Sequence, residues 1–506
     1  MDRDENLRRA KNAAVPWDIV VIGGGATGAG CALDAASRGL SVLLLEQHDF
    51  GKGTSSRSTK LIHGGVRYLK QGNISLVRES LKERGLLLRN APHAVTKQTF
   101  VIPCYGVIEK NFYGLGMKLY DRLSTKFSIG NSRILSHSET LEHLPTIKPQ
   151  GLAGGVLYHD GQFDDARFLV DLLRTADSHG AVVLNYCQVV SLIKNSDDRI
   201  QGVEFIDDET GERTTVNAKS VINAAGVFSD PVRQLSDRDA RPLLTFAQGI
   251  HIVLDRTFLP SNDAMMIPKT SDGRVLFCIP WHGHVLVGTT DTPVGSSSLE
   301  PTALASEIDF VLETAGAYLA EKPTRENILS VFAGIRPLIR TNAASKTSSL
   351  SRSHDLFVDR AGLITITGGK WTTYRRMAEG AVDKAIEVGR LNKVLCRTET
   401  LAISPPAGKS GPDEKIHPHF AYTRADVINA ARDEMARTVE DVLARRTRML
   451  FLDANAAIDC APIVAEILAA ELGRDNAWMD EQVRDFLNVA SFYQIHPPAN
   501  NANHRE

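Results

Sequence analysis

Residues 17–46 read WDIVVIGGGATGAGCALDAASRGLSVLLLE, and this stretch decides the fold. Ile19-Val20-Val21-Ile22 is a β-branched run of the kind buried on both faces of a parallel sheet. Gly23, Gly25 and Gly28 follow at GxGxxG spacing, then an Ala-rich helical segment to Ser37 and a second apolar run, Val42 to Leu45, ending on Glu46. Each glycine has a task. Gly23 turns tightly off the strand, Gly25 lets backbone approach a pyrophosphate, and Gly28 lets helix and strand pack closely. The helix N-terminus offers unpaired N–H groups to an anion. Glu46, 18 residues after Gly28, is placed to accept from ribose hydroxyls and disfavours a 2′-phosphate. The unit predicts a dinucleotide site without choosing between NAD and FAD.

Outside this stretch, bulk properties narrow the field. A chain of 506 residues can bury a large core in two or three domains. A net charge of −2 provides no overall basic field for nucleic acid. Six scattered cysteines without a CxxC pair point to reduced thiols, and no metal-ligand spacing is found. Met1 to Pro16 reads as a polar lead rather than a secretory signal, and the longest apolar-leaning stretch, Ile19 to Leu33, is too short and glycine-rich to span a bilayer. Membrane contact, if any, is expected to be peripheral.

After Glu46 comes GKGTSSRSTKLIHGGVRYL, residues 51–69, whose composition alone is that of a solvated loop. With the opening motif it resembles the FAD-dependent glycerol-3-phosphate dehydrogenases. GTTD (Gly288 to Asp291), GIRPL (Gly334 to Leu338), GGKWTTYR (Gly368 to Arg375) and RTVEDVLARRTRMLFLD (Arg437 to Asp453) are similar to later motifs of that family, in the same order. The resemblance implies a D-amino-acid-oxidase-like fold: a Rossmann-like α/β FAD-binding domain, an antiparallel-sheet substrate domain and an α-helical C-terminal domain. It implies FAD as cofactor, sn-glycerol 3-phosphate as substrate, dihydroxyacetone phosphate as product and a membrane quinone as acceptor. The expected setting is cytoplasmic, peripheral at the inner face of the cell membrane, with a homodimer left open. The alternatives are a glycerol-3-phosphate oxidase using oxygen, an oxidase or dehydrogenase of another hydroxy or amino acid, and a flavin-binding protein without turnover.

Domain limits follow from composition and from that family pattern. Residues 17–95, 151–235 and 330–400 are assigned to the FAD-binding domain, 96–150 and 236–329 to the substrate domain, and 420–495 to the helical C-terminal domain, after a Pro- and Gly-rich linker from Ser404 to His419. Gln71 to Pro92 reads as an amphipathic helix with a solvated charged face. Residues 109–133 place Phe112, Leu115, Leu119 and Leu123 near helical spacing among five cations and two acids, a pattern that suits a lipid interface as well as a packed helix. Val203 to Ile206 and Thr214 to Val216 form an expected hairpin around DDETGE. Arg445, Arg446 and Arg448 fit packing, a dimer or a lipid surface equally well.

The resemblance also assigns site residues. His251, in the strand-like QGIHIVL, matches a histidine that takes the substrate hydroxyl proton, a task suited to imidazole near neutral pH. Relatives commonly carry Lys where this chain has Gln248. Arg67 and Lys370 match positions near the substrate, and Arg336 and Arg352 complete the cations expected to hold a phosphate dianion and stabilise charge beside the carbinol. The expected cofactor contacts are Gly23, Gly25, Gly28, Glu46, Thr54, Ser55, Ser56, Ser58, Lys60, Val189, Gly226, Gly369 and Thr372.

Overall fold

The computed structural model describes residues 1–65, 73–340, 354–406, 408 and 411–495. The opening motif folds as its spacing predicts. Strand Trp17–Ile22 lies between two parallel neighbours, Val42–Leu45 and Arg213–Asn223, and helix Ala26–Ser37 crosses between the first two. Leu363–Gly368 extends the parallel sheet beyond Arg213–Asn223, and Val182–Leu184 extends it beyond Val42–Leu45. Ile19, Val20 and Val21 are completely buried, as expected of a strand covered on both faces. Gly28 is obligatory here, because a Cβ would stand 1.9 Å from the Gly23 carbonyl oxygen. The expected hairpin forms by antiparallel pairing of Ile200–Asp207 with Arg213–Asn223.

Among the described residues a second sheet has ten strands. Its longest pair, Leu244–Asp255 and Ile328–Ile339, is antiparallel. Strands Leu61–Ile62, Gly154–Phe163 and Ile328–Ile339, in spans that the sequence assigns to the FAD-binding domain, hydrogen-bond within this sheet and not within the parallel one.

One other expectation is corrected and two open points are resolved. The polar lead contains a helix, Arg3–Lys11, anchored by Arg3 to Asp207 at 2.6 Å; its polarity hid the periodicity, and a long-range ion pair holds it. Helix Ile74–Asn90 does not expose all its charges. Glu83 pairs with Arg375 at 2.8 Å, and Arg84 with Asp160 at 2.7 Å, all four buried. Arg445, Arg446 and Arg448 are buried as well, and they pack rather than face lipid or a second copy.

The C-terminal helices Arg424–Glu434, Ala454–Leu472 and Asn476–Ala490 share one core with the substrate sheet. Phe451 and Val464 belong to the same apolar cluster as Phe332, Ile279 and Val253. Between that core and the nucleotide domain runs a band of buried charge. Arg445 Nε reaches Asp49 at 2.5 Å, Arg446 bonds both Asp49 oxygens at 2.9 Å, and Arg448 reaches Asp165 at 3.1 Å. Asp49 lies on the turn just after Glu46, so the last domain grips the loop at the nucleotide end of the site.

Candidate active site

Three cavities join end to end. The first, of about 100 Å³, is lined by Gly23, Gly25, Glu46, Thr54, Ser55 and Gly226. Through Thr54, Ser55 and Gly226 it continues into one of about 250 Å³ that also touches Ser58, His251, Arg336, Gly369, Lys370 and Thr372. Through Thr59, His63 and Arg336 it continues again into one of about 160 Å³ beside Arg274 and Asp291. An elongated ligand suits this series of cavities.

The first cavity has the donors and acceptors of a nucleotide cradle. Gly25 caps helix Ala26–Ser37 without a side chain, so its backbone is open to an anion. Ser55 Oγ accepts from Ala26 N at 2.9 Å and secures the loop to that helix. The Glu46 carboxylate accepts from Gly24 N at 2.6 Å and His48 N at 2.9 Å, and burial raises its pKa. At the far end Gly368 and Gly369, both with positive φ, turn the chain into Trp371, whose indole N–H donates to Ser55 O at 2.8 Å. The two glycine turns are thereby tied across the cleft. FAD fits this set: Glu46, Gly23, Gly25, Ser55 and Gly226 would hold its adenosine and pyrophosphate, and Gly369 and Thr372 its ring.

The middle cavity brings His251 and Arg336 together by strand register. His251 pairs with Phe332 and Gly288, and Arg336 pairs with Ala247, four residues along the same strand and so on the same face. Two glycines make room. A Cβ at Gly249 would lie 2.2 Å from Arg336 Nη2, and one at Gly288 would lie 2.3 Å from His251 Cδ2. His251 is buried, stacked on Phe332, with Nε2 at 3.0 Å from Thr59 Oγ1 and Nδ1 without a partner among the described residues. Burial, with Lys60 and Arg336 nearby, holds its pKa well below the usual 6.5, so the imidazole is neutral at physiological pH and in its proton-accepting form. Arg336 donates to Asp291 at 3.1 Å and to Thr290 O at 3.1 Å. Lys370 Nζ lies 3.4 Å from Ser80 Oγ.

Not every expected residue arrives. Lys60 turns from the cleft into the protein, where it pairs with Asp165 at 2.7 Å and faces the rings of Trp281, Phe332 and Phe451. Burial, only partly offset by Asp165, brings its pKa down to about 7. Ser56 is buried too, its carbonyl taken by Lys60 and Arg448, and Val189 lines none of the three cavities. Arg67 and Arg352 lie outside the described residues. Gln248 is on the opposite strand face from His251 and donates to Glu307 at 2.8 Å, so the exchange of Lys for Gln changes a contact away from the base. Thr59, His63, Arg274 and Asp291 line the site without having been singled out. Thr59 and His63 fall in the 51–69 segment and Asp291 in GTTD, motifs that carry the family resemblance but assigned these residues no role.

This fold and cleft define an FAD-dependent oxidoreductase. Residues 18–375 match the family model described as FAD dependent oxidoreductase, and residues 390–479 match the C-terminal domain of alpha-glycerophosphate oxidase. A mitochondrial glycerol-3-phosphate dehydrogenase of Arabidopsis thaliana is 38% identical over 96% of this chain and 88% of its own length. The mitochondrial glycerol-3-phosphate dehydrogenase of Homo sapiens is 36% identical over 97% of this chain and 76% of its own. The structure of the glycerol-3-phosphate dehydrogenase from Bacillus halodurans complexed with FAD superposes with a TM-score of 0.77, at 28% identity over 97% of each chain. The chain belongs to the FAD-dependent glycerol-3-phosphate dehydrogenase family, and FAD is its cofactor.

Proposed function

We propose that this chain oxidises sn-glycerol 3-phosphate to dihydroxyacetone phosphate and delivers the electrons to a membrane quinone. One observation carries the chemistry: a buried, neutral histidine stands beside a strand-fixed arginine in a cleft continuous with the nucleotide cradle. Bound FAD supplies the hydride acceptor, at flavin N5. His251 takes the C2 hydroxyl proton, and Arg336 stabilises negative charge developing on that oxygen. Lys370 holds the phosphate, with Arg67 and Arg352 as the further cations of that grip. The positive-φ turn at Gly368 and Gly369 and the short helix-like turn after it line the ring end of the cleft.

Helix Val107–Ser124 supports peripheral attachment to a membrane. Ile108, Phe112, Leu115 and Leu119 form an exposed stripe, at 87%, 59%, 73% and 46% exposure, while Met117, Tyr120 and Leu123 pack inward. Lys118, Arg122 and Lys126 are exposed nearby, placed for anionic head groups. No helix among the described residues is long and apolar enough to cross a membrane. The inner face of the cell membrane is the proposed location.

Anaerobic addition of glycerol 3-phosphate should bleach the oxidised flavin spectrum of the purified holoenzyme, and a quinone analogue should restore it. No bleaching at saturating substrate would refute the substrate assignment. Stoichiometric peroxide release in air, with quinone without effect, would make it an oxidase.

A further inference from the structure

Two buried carboxylates line the 160 Å³ cavity, and only one of them is fully engaged. Asp160 accepts from Arg84 at 2.7 Å, from the Tyr120 hydroxyl at 2.9 Å and from Gly64 N at 3.4 Å. Asp291 is equally enclosed, its side chain 4% exposed. Its Oδ1 accepts from Arg336 Nη1 at 3.1 Å, but Oδ2 has no partner among the described residues. A buried carboxylate oxygen left without a donor is an expensive arrangement unless a ligand completes it.

We propose that Asp291 is a specificity-determining residue whose Oδ2 accepts a hydrogen bond from the C1 hydroxyl of the substrate. This rests on glycerol 3-phosphate being the substrate. The orientation follows from charge and from the order of the cavities. Lys370 lines the 250 Å³ cavity and Asp291 the 160 Å³ one, while Thr59 and Arg336 line both. His251 is bonded to Thr59, so the reacting carbinol sits at that junction. From there the phosphate dianion extends toward Lys370 and away from the Asp291 carboxylate, since Arg274, the other cation beside Asp291, is held by Asp272. The uncharged hydroxymethyl end extends the other way, where a carboxylate acceptor makes a charge-assisted bond to its hydroxyl. A substrate lacking that hydroxyl leaves Oδ2 buried and unpaired, the situation in which a polar site rejects an analogue most strongly.

The test compares anaerobic flavin reduction of the holoenzyme by glycerol 3-phosphate and by its 1-deoxy analogue, in which a methyl group replaces the hydroxymethyl group. The wild-type protein should favour glycerol 3-phosphate by about ten- to a hundredfold in the second-order rate constant, the range for a hydrogen bond to a charged group. Asp291→Ala should bring that ratio close to unity. If Asp291 serves only to orient Arg336, both substrates slow alike and the ratio is unchanged, which overturns the proposal. Should Asp291→Ala fail to fold, Asp291→Asn keeps the size and a partner for Arg336 while making the acceptor neutral, and the ratio should fall severalfold. An Asn variant with the wild-type ratio overturns the proposal equally. A wild-type protein reduced by both compounds without discrimination overturns it alone, whereas one that glycerol 3-phosphate does not reduce removes the substrate reading as well.

Discussion

Asp49→Asn should weaken the hold of the C-terminal domain on the cofactor loop. The Asp49 side chain has no exposed surface and receives three hydrogen bonds from Arg445 and Arg446, at 2.5, 2.9 and 2.9 Å. Burial alone would raise its pKa, but the two guanidinium groups more than offset this and hold it at about 2, against an ordinary 3.8. At about 1.4 kcal/mol per pH unit, the difference corresponds to roughly 2 kcal/mol of folding stability at neutral pH. The sign follows from the lowered value: the contribution is complete above pH 3.8 and is lost as pH falls toward 2. Removing one partner of a buried pair costs about 3–5 kcal/mol. Here Arg445 keeps Glu440 and Asp441, and Arg446 keeps Glu434, so a loss of about 2–4 kcal/mol is expected. Urea titration of the holoenzyme, followed by circular dichroism and by flavin fluorescence, reads both consequences. The variant should release flavin at lower urea, and its stability should fall less steeply than that of the wild type between pH 4 and 2. An unchanged flavin-release midpoint with an unchanged acid limb would refute the reasoning.

Further outcomes are expected. His251→Ala should slow flavin reduction by about 10²- to 10⁴-fold, measured by stopped flow. Because the pKa of His251 is held well below 6.5, the wild-type rate should not fall through loss of its neutral form between pH 8 and 6.5, only under more acidic conditions; a fall centred at or above 6.5 would contradict the buried site. Gly249→Ala puts a methyl group where Arg336 lies and should lower the reduction rate while flavin binding, read by absorbance, stays intact. Phe112→Asp with Leu115→Asp should abolish cosedimentation with anionic vesicles and leave reduction by glycerol 3-phosphate in solution unchanged. Retained sedimentation would show that this helix is not the contact.

The nucleotide unit was legible because its information is local. Buried strand, glycine spacing, helix and terminal acid all fall between Trp17 and Glu46, and each has a periodic or positional signature. His251 has no such signature, since a single histidine in a strand looks the same whether it packs or reacts, and only the family resemblance singled it out. Lys60 was expected at the cofactor on the family resemblance, and the local run of Ser, Thr and Lys does not show which way its side chain turns. Its burial depends on Asp165, 105 residues on, and on aromatic rings from Trp281, Phe332 and Phe451. Glu83 and Arg84 illustrate the same gap, since helical periodicity identifies a polar face but not the Arg375 and Asp160 that cover it. The role of Arg445 and Arg446 was undecided for a similar reason: Asp49 is nearly 400 positions away, and no local pattern links them.

That separation also has a consequence for biosynthesis. Asp49 leaves the ribosome 396 residues ahead of Arg445, an interval of about 20–80 s at ordinary elongation rates. Throughout it the opening strand–helix–strand unit, complete in sequence by Glu46, lacks the guanidinium groups that fix the loop after it. A nascent chain therefore has the means to meet FAD early but not to retain it firmly, and tight retention of the cofactor becomes a signal that translation has passed residue 446. A shortage of flavin during synthesis would be felt by a long, half-secured intermediate, and a premature stop before Arg445 should yield a protein that loses its colour on dilution.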